Sequence, residues 1–70
     1  MIPFNLEKAK KGIPMYTRNG HTAIFISLLD GGQPAPLVVD VPGYEGLENY
    51  YINGRLETVH DSHLDLFMKY

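Results

Sequence analysis

The stretch Ile13-Pro14-Met15-Tyr16-Thr17-Arg18, then Asn19-Gly20, then His21-Thr22-Ala23-Ile24-Phe25-Ile26-Ser27-Leu28 places two strand-forming arms around a tight-turn dipeptide. Asn-Gly supplies the positive φ angles that a short hairpin turn requires. The second arm alternates. Ile24, Ile26 and Leu28 fall on one face, Ala23, Phe25 and Ser27 on the other. Both faces are rich in apolar side chains. That predicts a central strand, or one covered by a helix or a second chain.

Upstream, Leu6 to Gly12 follows Pro3-Phe4-Asn5 and reads as a short helix. Asn5 is the N-cap, Glu7 suits the first turn, the lysines suit the last, and Gly12 is the stop. Two turns do not hold alone in water, so this helix must dock on the strands. Downstream, Asp30 to Pro36 is a loop and Leu37-Val38-Val39-Asp40-Val41 a third strand, with Leu37, Val39 and Val41 inward and Asp40 outward. A second loop, Pro42 to Gly46, leads into a second Asn-Gly hairpin, with arms Leu47–Ile52 and Arg55–Val59 around Asn53-Gly54. The tail supports two readings. Leu64, Leu66 and Met68 alternate as an edge strand, whereas Ser62 with Asp65 resembles a helix N-cap pair; the strand is the expectation here. The fold class is therefore α+β, mostly β. A short N-terminal helix precedes an antiparallel meander of about five or six short strands, able to curl into a small open barrel. Residues 1–70 form a single domain.

A chain this short buries only a modest core. With no cysteine, it has neither disulfides nor thiolate metal sites to reinforce it. Oligomerisation or a partner remains as a source of extra burial, so a homo-oligomer stays open. No apolar run approaches a membrane span, and the N-terminus carries no signal-peptide pattern. An intracellular chain, mature as written, is expected. The net charge of −2 gives the whole molecule no pull toward nucleic acid. Its distribution is uneven: Lys8, Lys10, Lys11 and Arg18 face only Glu7 in the first third, whereas the remainder is acidic.

The residues that invite a catalytic reading have simpler roles. His60 and His63, beside Asp61 and Asp65, have zinc-ligand chemistry, but residues three apart on a strand point to opposite faces. Ser62, His63 and Asp65 are too close in sequence to adopt triad geometry, and no nucleophile-elbow context surrounds them. Gly31-Gly32 and Gly43/Gly46 match no phosphate-loop pattern. No catalytic residue, metal ligand or cofactor is assigned.

The candidate binding residues lie around the two Asn-Gly turns. Arg18, His21 and Arg55 flank hairpin tips, where a guanidinium can grip a phosphate or carboxylate in bidentate fashion. Five tyrosines and no tryptophan make an aromatic set suited to an interface. Tyr50 and Tyr51, adjacent on a strand, cannot both face the core. The candidate surface is Tyr16, Arg18, Asn19, His21, Tyr50, Tyr51 and Arg55.

Several motifs resemble a family of small proteins encoded by phages and prophages. They are Pro3-Phe4-Asn5-Leu6-Glu7 with Ala9, Gly12 and Pro14, then Thr17-Arg18-Asn19-Gly20, then Tyr51 with Asn53-Gly54-Arg55, and last Ser62 with Asp65-Leu66-Phe67. The likeness spans nearly the whole chain. His21 departs from it, standing where the family pattern has a basic residue, often Arg. The resemblance implies an origin more than an activity. It implies a non-enzymatic protein in the cytoplasm of an infected bacterium, acting by binding a host or defence protein. The alternative is an oligomeric sponge for an anionic signalling nucleotide, built on Arg18, His21, Arg55 and the tyrosines.

Overall fold

A computed structural model describes residues 1–70. Six strands form one antiparallel sheet: β1 (Ile2–Pro3), β2 (Met15–Thr17), β3 (Thr22–Leu28), β4 (Leu37–Val41), β5 (Gly46–Tyr50) and β6 (Leu66–Met68). The single helix, α1 (Leu6–Lys10), is capped as its sequence dictates. Asn5 Oδ1 accepts the Lys8 N–H at 3.0 Å, Glu7 sits in the first turn, and Lys8 and Lys10 sit in the last. Ala9 anchors the helix in the core.

Strands β2 to β5 run as the expected meander. The order across the sheet is β1-β6-β2-β3-β4-β5, so the last strand crosses back and inserts between β1 and β2. The tail is thus a strand, as its alternation predicts, but an interior one rather than an edge. Leu66 and Met68 lie opposite Thr17 and Met15, and all four are buried. The sheet stays open. β1 and β5 are its free edges, and the barrel expectation is corrected accordingly.

Leu37, Val39 and Val41 of β4 are fully buried and face inward as expected. They pack with Met15, Ala23, Tyr50, Leu66 and Met68, and with Phe4, Leu6, Phe25 and Leu28 around them. The face assignment of β3 changes at a bulge. Phe25 pairs with Val39, but Ser27, not Ile26, pairs with Val38. Ile26 is the extra residue, and beyond it every side chain switches face. Leu28 thereby joins Phe25 on the core side, leaving Ile24 and Ile26 exposed.

The second Asn-Gly hairpin is half formed. Its first arm is β5, but residues 55–59 make no strand. The Leu56 N–H donates to Asp65 Oδ1 at 3.0 Å instead of to a neighbouring strand, and Val59 is exposed.

Candidate functional site

The first turn differs from a two-residue hairpin loop. Gly20 has φ of +90°, and no residue other than glycine has a positive φ, so Asn19 does not share it. Gly20 N–H donates to Thr17 C=O, and Thr17 N–H donates to His21 C=O, each at 2.8 Å. This is a longer loop closed by one left-handed glycine. Thr17, fully buried, organises it: its Oγ1 bonds to Asn19 Oδ1 and accepts the His21 N–H at 3.0 Å. The second turn repeats the solution. Gly54, with φ of +84°, donates to Tyr51 C=O, and Tyr51 N–H donates to Arg55 C=O, both at 2.9 Å.

The two turns are tied together by Asp65. One carboxylate oxygen accepts the Leu56 N–H; the other accepts the Ser62 N–H at 3.0 Å and Arg18 Nη2 at 3.2 Å. Burial alone would raise the Asp65 pKa. The Leu56 and Ser62 N–H groups, with the Arg18 guanidinium, more than offset this and hold it below the ordinary aspartate value. The Asp65 backbone also accepts the Arg18 N–H at 2.8 Å, while Leu66 N–H donates to Gly54 C=O at 2.9 Å. The carboxylate is an internal connector that serves both turns.

Three of the candidate binding residues, Arg18, Tyr16 and Asn19, are engaged around this knot, and the others make internal contacts elsewhere. Arg18 donates Nε to Ser62 C=O at 3.0 Å, and its guanidinium lies 4.9 Å from the centre of the Phe67 ring, a cation–π distance. Tyr16 packs against the same ring at 6.2 Å. Asn19 is held by Thr17, and its N–H by His63 C=O at 2.9 Å. Arg55 pairs with Asp61 at 3.0 Å and donates to the Glu57 backbone at 3.3 Å. Tyr51 is half-buried. Tyr50 leaves the surface altogether. It is fully buried and donates its hydroxyl to Leu64 C=O at 2.8 Å. Burial, then Glu48, pushes its phenol pKa well above the usual range.

Arg18 and Arg55 do share one open groove of about 230 Å³, with Phe4, Asn53 and Phe67 on its walls. Both guanidiniums already face carboxylates, so the groove offers an incoming anion little net charge. No family model matches this chain, and no curated protein or solved structure is similar to it.

His21 belongs to a cluster that the sequence did not bring together. Its ring stacks on Tyr44 at 4.1 Å between centroids, with the planes 14° apart. His63 meets Tyr44 edge-on at 6.5 Å, with Nε2 3.4 Å from the hydroxyl. The cluster joins the β2–β3 turn, the β4–β5 loop and the tail, so no local pattern foretold it. Ser62 Oγ accepts the Leu64 N–H at 3.1 Å, which makes the Ser62–Asp65 pair a turn cap rather than a helix cap. No three His, Asp or Glu side chains gather as a metal site.

One surface remains without an internal partner. On the outer face of β3, β4 and β5, Ile24, Asp40 and Leu47 lie in register across the strands. Ile24 is 46% exposed and Leu47 65%, and α1 packs on the opposite face.

Proposed function

We propose that this chain is a non-enzymatic binding protein of phage type, acting in the cytoplasm of an infected bacterium on a host or defence protein. The carrying observation is the bare outer face. Ile24, Ile26 and Leu47 are exposed there around Asp40, apolar groups that a contact surface can use. The phage assignment rests on the sequence motifs alone. Those motifs fall largely on the Asp65 knot: Thr17-Arg18-Asn19-Gly20, Asn53-Gly54-Arg55 and Asp65-Leu66-Phe67 interlock, which favours a shared scaffold over a shared chemistry. The nucleotide-sponge reading has less support, because Arg18 and Arg55 are already neutralised.

Affinity capture from bacterial lysate, with the full chain as bait, is expected to retain one protein at stoichiometric level. Recovery of none across several salt concentrations contradicts the proposal. Thermal melting against a panel of cyclic nucleotides should show no stabilisation. A gain that rises with ligand concentration would favour the sponge instead.

A further inference from the structure

Between α1 and the start of β2 on one side, and β3 on the other, lies an open groove of about 420 Å³. Lys10, Ile13 and Pro14 face Ala23, Ile24 and Phe25 across it. Its size falls within the range of ligand clefts.

The groove exists because β2 and β3 part early. Their ladder holds only Met15 opposite Ala23 and Tyr16 opposite Thr22. The bond from Thr17 N–H to His21 C=O fixes which β3 residues turn their backbone toward β2. They are His21, Ala23 and, by strand alternation, Phe25. The residue that should meet Phe25 is Ile13, but its N–H is spent on Lys8 C=O at 3.1 Å and its C=O takes no bond from the Phe25 N–H. Pro14 has no N–H, and its carbonyl faces away to accept the Lys69 N–H at 3.0 Å. The Phe25 N–H and C=O therefore point into an apolar groove with no strand opposite. An added strand requires such an open edge.

Charge narrows the occupant. Lys10 is the charged residue on the groove wall, no acid lines it, and Lys11 follows, also exposed. A wall of one sign favours an acidic flank on whatever enters. We propose that an extended segment of a partner protein, apolar at alternate positions and acidic at one end, adds as a strand to the β3 edge at Phe25, with its carboxylate toward Lys10. This rests on the protein-binding reading and gives it a docking mode. Ile24, on the groove wall and on the bare face, makes the two surfaces continuous.

The test uses the isotopically labelled full chain and two capped peptides. One carries glutamates flanking a Val-Thr-Val-Thr-Val core; the other carries lysines in their place. In the free chain the Phe25 amide should exchange freely, while that of Ile24, bonded toward β4, exchanges slowly. The glutamate peptide should shift the resonances of residues 22–25 and slow exchange at Phe25. The lysine peptide should bind more weakly. Lys10→Glu, at an exposed helix position, should weaken the glutamate peptide roughly two- to fivefold, the scale of one exposed ion pair. A Phe25 amide already protected in the free chain, or residues 22–25 left unmoved by the glutamate peptide, overturns the proposal. Inorganic phosphate shifting the same amides when the peptide does not would also overturn it, in favour of an anion site. If the peptide fails but the chain still captures a stoichiometric protein, the docking mode falls and the binding reading stands; if both fail, both fall.

Discussion

Gly20 and Gly54 occupy the same place in the same kind of turn, yet they should respond differently to a methyl group. Their φ angles are +90° and +84°, which a side chain adopts at a cost of roughly 1–2 kcal/mol. At Gly20 the added carbon meets nothing; at Gly54 it would lie 2.5 Å from Phe4 Cγ. Urea unfolding should place Gly20→Ala about 1–2 kcal/mol below wild type, and Gly54→Ala clearly lower still, with equal losses contradicting the packing. Asp65 carries the second residue-scale prediction. Its folded pKa lies below the unfolded value, so its contribution is present above about pH 4 and is lost as pH falls through the folded value. Asp65→Asn should cost about 1.5–3 kcal/mol at pH 7, the range for hydrogen bonds to a charged group. It should also flatten the decline in stability on the acid side. An unchanged acid limb in a pH series of urea melts would contradict this role. Nothing in the sequence singled out Asp65 as the partner of Arg18 among eight acids, because their 47-residue separation leaves no local signal.

At the scale of the element, legibility followed locality. The α1 cap, the β4 alternation and the place of the β2–β3 turn are written in neighbouring residues, although the turn itself is longer than the Asn-Gly pair implies. Arg55–Val59 looks just as strand-like on paper. It fails because its backbone donor at Leu56 goes to a carboxylate that arrives from elsewhere in the chain. The β3 bulge was equally hidden, since Ile24, Ile26 and Leu28 keep an unbroken alternation through it. The bulge makes a sharp prediction. Leu28→Ala should cost about 2 kcal/mol or more, as for other large-to-small core changes. Ile26→Ala, at an exposed position, should stay within about 0.5–1 kcal/mol. Equal costs in denaturant melts would restore the unbroken strand.

Over the whole molecule, several residues of the expected contact surface are drawn into the fold's own contacts. The two Asn-Gly turns, with Arg18, Asn19 and Arg55, were the expected contact surface. Folding uses Arg18, Asn19 and the Gly54 carbonyl to hold the returning tail, within a domain whose total stability is only roughly 4–10 kcal/mol. Tyr50 was drawn into the core by its place opposite Leu37. Besides the free edges of β1 and β5, folding leaves the outer face and the β3 backbone at Phe25 without a neighbour. Neither could be seen before the strand order was known, because each is defined by the absence of a neighbour. Parallel capture from bacterial lysate with three baits is the most direct test: wild type, the Ile24→Lys/Leu47→Lys pair, and Arg55→Ala. Wild type and Arg55→Ala should retain the same stoichiometric protein to a similar extent, while the paired variant, still folded, loses it by about tenfold or more, the scale of a binding hot spot. Capture that survives in the paired variant but disappears with Arg55→Ala would return the function to the turns, and capture by no bait would contradict the binding role itself.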